Sequence, residues 1–153
     1  MIYIQIDESL ESSAALAGLD QAVIERAAQH TLYHAGADAQ AEATIVLSDD
    51  AQLHALNHQF LGIDAPTDVL SFPGGETDPD SDALYLGDVI ISISRAQAQA
   101  AAGGYPLLDE LQLLVVHGML HLLGHDHGDE EEKAKMWPIQ AQILVSLGCV
   151  ARP

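Results

Sequence analysis

The segment 107–123, LLDELQLLVVHGMLHLL, constrains the fold most, because it is apolar on almost every side of a predicted helix. A helix with a single apolar stripe can lie on the surface of a domain, whereas one that is apolar all round must be surrounded by other elements. Gly124 follows and is suited to end the helix in a left-handed turn. We therefore predict a buried central helix that stops at this glycine.

The predicted strands come early in the chain, and most of the predicted helices come late. The patterns predict strands at 2–6, 43–47, 68–72 and 85–93, and helices at 10–35, 49–60, 94–102, 107–123 and 129–147. Pro73 is expected to stop the third strand, the segment 74–83 to form a loop, and Pro138 to kink the last helix near Trp137. This order predicts an α+β fold in one domain that spans 1–153.

Composition excludes several classes of protein. The chain of 153 residues carries 23 acidic and five basic side chains, a net charge of -18. Phosphate backbones are normally bound by Lys and Arg, so composition alone argues against a nucleic-acid binder, and we expect no DNA partner. One cysteine, Cys149, excludes a disulfide framework and a cysteine-based zinc cluster. The sequence shows neither a signal-peptide pattern nor an apolar run of about 18 residues, so we expect no membrane association and a cytoplasmic location.

Two histidines within the predicted central helix indicate a metal site. His117 and His121 are spaced i, i+4, which puts them on one face of the helix. The turn after Gly124 brings His125 or His127 back toward the pair. Three histidines with an open fourth position are typical of catalytic zinc, although two core histidines with satisfied hydrogen bonds are the alternative. The spacing, and the cost of burying imidazoles without a partner, favour the metal.

Peptide hydrolysis by the usual zinc route is disfavoured. Zinc peptidases with this spacing carry a glutamate directly after the first histidine, and Gly118 stands there in this chain. Glu110 lies on roughly the same face about two turns earlier. We expect Glu110 to stabilise the N-terminal end of the helix through the helix dipole.

The stretch VVHGMLHLLGHDH, with LNHQFLGIDAPTDVLSFP and LGDVIIS upstream, resembles the YbeY family. Members are bacterial zinc-dependent endoribonucleases of 16S rRNA 3′-end maturation and ribosome quality control. The resemblance, from about Ala43 to Leu147, implies a small mixed sheet of about four strands packed with five or so helices. It also implies one Zn²⁺ held by His117, His121 and His127, with His125 a neighbour. Single-stranded rRNA would be the substrate, and ribosomal proteins or the small ribosomal subunit the partners.

The chain departs from the family at a position expected to handle RNA. The family usually has an arginine in the pattern LNxxYR, and the matching residue here is Leu61. No Lys or Arg lies between Arg26 and Arg95. Arg95 is therefore the candidate for a substrate phosphate contact, the alternative being a solvated residue at a helix N-terminus.

The sequence leaves three candidate functions. The first is an RNA hydrolase in which zinc-activated water, rather than an assigned side chain, is the nucleophile. The second is a non-catalytic, zinc-stabilised ribosome assembly factor, which Leu61 and the net charge favour. The third is a zinc hydrolase of another substrate, which the missing glutamate disfavours. Asp126 could orient a histidine or serve only the turn, and Ser71 and Asp88 are interpreted as structural.

Overall fold

Four strands and five α-helices make up the regular structure of the computed structural model, which describes residues 1–10, 12–77 and 79–153. The strands are β1 (Ile2–Ile6), β2 (Glu42–Ser48), β3 (Val69–Thr77) and β4 (Leu84–Ser92). The helices are α1 (Gln21–His34), α2 (Asp50–Leu61), α3 (Ile93–Gly103), α4 (Leu107–Leu122) and α5 (Glu130–Ser146). The predicted α+β class, with about four strands and five helices, is confirmed.

The strands form one mixed sheet in the order β1-β2-β4-β3. β2 pairs in parallel with both β1 and β4, whereas β3 pairs with β4 in the antiparallel direction. Ile45 in β2 and Val89 and Ile91 in β4 are fully buried. These three side chains lie on one face of the sheet, and Val46 and Ile90 on the opposite face are half-buried. This burial on both faces explains why β2 and β4 read as nearly continuous apolar runs.

Helix α4 is the central helix that its sequence predicts. It contacts β3, β4, α1, α3 and α5, and five of its apolar side chains are fully buried: Leu111, Val115, Val116, Met119 and Leu120. Each such burial contributes about 1.5–3 kcal/mol to stability. Among the described residues, no helix combines the length and the apolarity that a bilayer crossing would require.

The predicted helix over 10–35 is wrong in its first half. Two short 3₁₀ turns, Glu8–Leu10 and Ala14–Leu16, precede α1, which begins only at Gln21. Gly18 has a φ of +73°, a conformation that interrupts a right-handed helix. Asp20 then accepts a hydrogen bond from the backbone N–H of Ala22 at 3.1 Å and caps α1.

Pro73 does not stop the third strand, contrary to prediction. β3 runs to Thr77 and takes in part of the predicted loop over 74–83, of which Asp78 lies outside the described residues. An edge strand tolerates proline because a missing N–H on its outer side breaks no ladder hydrogen bond. Pro138 likewise lies inside α5, which continues to Ser146, and the kink near Trp137 stays a prediction.

Candidate metal centre

Three histidines converge at the C-terminal end of α4. One ring nitrogen each from His117, His121 and His127 lies within 4.8 Å of the other two. The Nε2 atoms of His117 and His121 are 3.1 Å apart, and the ring centroids form a triangle with sides of 4.7, 5.2 and 5.3 Å. His125 is not part of this cluster. The structure thus brings together the three residues predicted to bind the metal.

A tight turn after α4 returns the third histidine to the other two. Gly124 has a φ of +95°, and the N–H of His125 donates to the carbonyl of Leu120 at 2.9 Å. The carboxylate of Asp126 accepts from the N–H of His127 at 2.7 Å, and its Oδ1 lies 4.0 Å from Nδ1 of His121. Asp126 therefore serves the turn directly and lies beyond hydrogen-bond distance of His121.

Two residues of α5 hold the histidines and were not found from the sequence. The Nδ1–H of His117 donates to Oε1 of Gln140 at 2.9 Å, which leaves Nε2 of His117 facing the cluster. Trp137 packs beside the site, with ring centroids 5.3 Å from His127 and 6.0 Å from His117. The sequence did contain a signal for Gln140. It is a glutamine on the stripe of α5 that Met136 and Ile143 form, and a polar side chain in a buried stripe indicates a hydrogen-bond partner in the core.

Burial favours the neutral form of two of the histidines, His117 and His121. It lowers the pKa of His117, an effect that the hydrogen bond to Gln140 partly opposes. Burial also lowers the pKa of His121, and the neighbouring His117 and His127 lower it further. Neutral imidazole is the form that has a lone pair for a metal.

The cluster fits a divalent cation. Tetrahedral zinc with Zn–N bonds of about 2.0–2.1 Å separates its ligand atoms by about 3.3 Å, close to the separation of the His117 and His121 nitrogens. Two Nε2 atoms this close repel each other unless a proton or a cation lies between them. Three neutral nitrogens leave a fourth position free, as in catalytic zinc sites.

Close packing at Gly118 leaves no room for a glutamate directly after the first histidine. A Cβ atom at this position would lie 2.5 Å from Cγ1 of Val89, because α4 packs closely on the sheet here. The hydroxyl of Ser71 donates to the carbonyl of Gly118 at 2.9 Å across the same contact. A side chain at 118 would point into the core rather than toward the histidines, so this position cannot supply a general base.

The wall opposite the histidines contains no basic side chain among the described residues, and Asp68 is its one acidic residue. A cavity of about 540 Å³ is lined by the three histidines, by Leu61 at the end of α2, and by residues 67–71 and Pro73. Leu61 is 58% exposed, and Phe60 beside it packs edge-to-face on Phe72. Leu61 therefore lies at the cavity where the resemblance expects arginine. Among the described residues, no Lys or Arg lines this cavity.

Arg95 is engaged elsewhere. Its guanidinium donates to both carboxylate oxygens of Asp50 at 3.1 Å, which raises the pKa of Arg95 and lowers the pKa of Asp50. Arg95 lies in the first turn of α3 and is absent from the lining of the histidine cavity in the described part of the chain. Its contact with a substrate phosphate stays a prediction. Asp88, interpreted as structural, accepts a hydrogen bond from the hydroxyl of Tyr85.

The family model and the similar proteins all identify the same family. The model of the family described as Endoribonuclease YbeY matches residues 6–148. Relatives named Endoribonuclease YbeY include one from Pelotomaculum thermopropionicum, 46% identical over 133 residues that cover 85% of each chain. Another, from Salinispora tropica, is 38% identical over 140 residues that cover 85% of this chain and 89% of the relative.

A solved structure agrees with the fold. The solution structure of TM1509 from Thermotoga maritima superposes with a TM-score of 0.61 at 27% identity. The match covers 96% of this chain and 89% of that one.

Proposed function

The chain belongs to the endoribonuclease YbeY family, and we propose that its three-histidine cluster holds one divalent cation, Zn²⁺, at which an RNA phosphodiester is hydrolysed. The observation that carries the proposal is the convergence of three ligand nitrogens within 4.8 Å beside an open cavity. When bound, the cation supplies Lewis acidity toward a phosphate oxygen and toward water.

The residues of this chain do three things for that reaction. His117, His121 and His127 present three ring nitrogens to the cation, and Gln140 fixes the ring of His117 through a 2.9 Å hydrogen bond. Trp137 packs beside two of the histidines and limits the access of bulk water from the α5 side. The open side of the cavity, lined by Leu61, Asp68 and Ser71, is the route by which a phosphodiester reaches the cluster.

The substrate we propose is single-stranded rRNA at the 3′ end of 16S rRNA, in the cytoplasm. A single strand can bend so that its phosphate enters a cleft, whereas a stacked duplex presents a rigid outer surface. The net charge of -18 opposes RNA and attracts basic proteins. A basic ribosomal protein, or the small ribosomal subunit that contains it, is therefore the partner we propose.

Leu61 favours the second candidate function. A leucine in the cavity wall offers neither a charge nor hydrogen-bond donors to a phosphate, whereas arginine can clamp it through two hydrogen bonds. On this view the protein cuts RNA slowly without its partner. If it cuts no RNA at all, its function is that of a zinc-stabilised ribosome assembly factor.

Metal removal combined with an RNA assay tests the proposal. The purified protein should contain one zinc per chain, and it should cut a single-stranded RNA faster than the same sequence in a duplex. Stripping the metal with a chelator should abolish cleavage, and adding zinc should restore it. Cleavage that survives with no bound metal would contradict the proposal. A stoichiometric zinc protein that cuts no RNA, even with ribosomal subunits present, would favour the assembly factor.

A further inference from the structure

A second cavity lies next to the histidine cavity. It has a volume of about 810 Å³ and lies between the end of α3, the first half of α4 and the C-terminal segment 150–153. His117, Asp68 and Val69 line both cavities, so the two are adjacent. A volume between about 300 and 1,000 Å³ is typical of sites for small organic groups.

Glu110 provides a buried acceptor in this second cavity. The residue is only 3% exposed, and its Oε2 accepts from the hydroxyl of Tyr105 at 2.7 Å. Among the described residues, no donor contacts Oε1 of Glu110. Every fully buried side-chain oxygen among them has a hydrogen-bond partner, so Oε1 is not fully buried. Oε1 is therefore open to the cavity. Burial raises the pKa of Glu110, as expected for a carboxylate with too few donors.

Further acceptors line the same cavity. The Nε2 of Gln99 donates to Oδ2 of Asp68 at 3.3 Å, which turns the Gln99 carbonyl oxygen away from that bond. Leu113, Leu114 and Val69 supply apolar walls. Arg152 is exposed at the rim, and in the described part of the chain no ion pair engages its guanidinium.

From this arrangement we infer that the second cavity is a nucleobase subsite, which holds an unpaired guanine next to the phosphate at the histidine cluster. This inference rests on the proposed RNA cleavage and adds to it a base preference. It makes Glu110 a specificity-determining residue rather than a group that only supports the helix.

Guanine fits the polar groups better than uracil does. Its Watson–Crick edge presents two adjacent N–H donors, N1 and N2, which suit the free oxygen of Glu110 and its acceptor neighbours. Uracil presents carbonyl oxygens on both sides of its single N–H donor, and these would face carboxylates. The apolar walls suit the faces of a planar ring.

The subsite also provides a reason for single-strand selectivity. A paired base has its Watson–Crick edge occupied and its faces stacked, so it cannot enter a cavity that reads that edge. An unpaired base can enter without the cost of breaking a pair.

Nucleotide binding tests the subsite without requiring RNA cleavage. Isothermal titration of the full-length, zinc-loaded protein should give about tenfold tighter binding of guanosine 5′-monophosphate than of uridine 5′-monophosphate. Glu110→Gln should remove that preference, because an amide offers one acceptor and opposes the guanine donors with its own. Glu8→Gln, the same change at an exposed site away from both cavities, should keep it.

A second variant covers the case in which Glu110→Gln does not fold. Ala102 is exposed and lines the second cavity, so Ala102→Trp fills the space without removing a buried contact. It should weaken guanosine monophosphate binding about tenfold and leave the zinc content unchanged. Equal binding of the two nucleotides by the unmodified protein, or a guanine preference that survives both variants, would overturn the inference.

An RNA arm separates this inference from the proposed function. Oligouridines with and without one guanosine are compared as cleavage substrates. Equal cutting of the two would leave the nuclease in place and refute the subsite. A guanine preference in binding that depends on Glu110, without any cleavage, would support the subsite and count against the nuclease.

Discussion

The two walls of the histidine cavity are built in different ways. One wall is a single contiguous segment, from His117 to His127, in which a helical repeat and one turn bring three nitrogens together. The other wall combines the end of α2 with the start of β3, and it meets the histidines only because α4 packs across β3 and β4. The first wall provides three ring nitrogens, and the second provides Leu61 and no cation among its described lining residues.

This difference separates metal binding from phosphate binding. A helix repeat followed by a glycine turn positions its side chains largely without help from the rest of the chain. A wall assembled from distant segments can exchange a charged side chain for an apolar one without disturbing the metal. Variants in each wall, and in the helix that supports His117, test whether the two walls are independent.

The largest effect is expected from the histidine wall. Substituting His117 or His121 by alanine should abolish stoichiometric zinc, because two neutral nitrogens and water hold the ion much less tightly than three. His125→Ala is the matched control, since His125 lies in the same turn but outside the cluster. Metal analysis of the purified variants measures the outcome. Loss of zinc in His125→Ala with retention in His127→Ala would show that the third ligand is misassigned.

On the opposite wall, Leu61→Arg should raise RNA cleavage by about a hundredfold or more, while the zinc content stays the same. A guanidinium at the cavity can stabilise charge on the phosphate, and such arginines contribute several powers of ten elsewhere. Ile63→Arg adds the same charge at an exposed position that does not line the cavity, and it should have little effect. Comparable activation by both variants would mean that net charge, rather than the wall, limits the reaction.

Gln140→Leu should weaken zinc binding about 10- to 100-fold, because Nδ1 of His117 loses the acceptor that fixes its ring. The change is close to isosteric, so the core should remain folded. Competition with a chelator gives the affinity, and circular dichroism checks the fold. An unchanged affinity would show that α4 and its turn hold His117 without help from α5.

The smallest effect concerns Arg95, away from both walls. Because Arg95 lowers the pKa of Asp50 in the folded state, their ion pair stabilises the protein above about pH 4, the unfolded value. That stability is lost as the pH falls through the lower folded pKa. Both side chains are more than one third exposed and their attraction is screened by solvent, so Arg95→Ala should lower the stability at pH 7 only slightly.

Urea unfolding of Arg95→Ala and the unmodified protein at pH 7 and at pH 3 measures that difference. The difference should shrink at the lower pH. A loss of RNA cleavage in Arg95→Ala with unchanged stability would instead support the predicted phosphate contact.

The parts of the fold that the sequence predicted well are those with strong local patterns. The apolar run of α4 and the buried strands β2 and β4 were readable from the residues. The errors fell where two signals conflicted. Leu16 and Leu19 continue the helical repeat of Val23 and Ala27, yet Gly18 and Asp20 interrupt it. Pro73 opposes a strand in general, yet an edge strand accepts it.

The amino-acid sequence alone determined that His117 and His121 lie on the same face of α4, since residues four apart on a helix are neighbours whatever surrounds them. The spacing left both His125 and His127 open as the third histidine, and the tertiary structure brings His127 to the pair and completes the histidine wall. Only the tertiary structure decided what faces that wall. The placement of Leu61 at the cavity, of Gln140 behind His117, and of Glu110 in an adjacent cavity depends on how α2, α5 and the C-terminal segment pack around α4. Packing of distant segments follows from the burial of the whole core, to which no single stretch of residues gives a local signal.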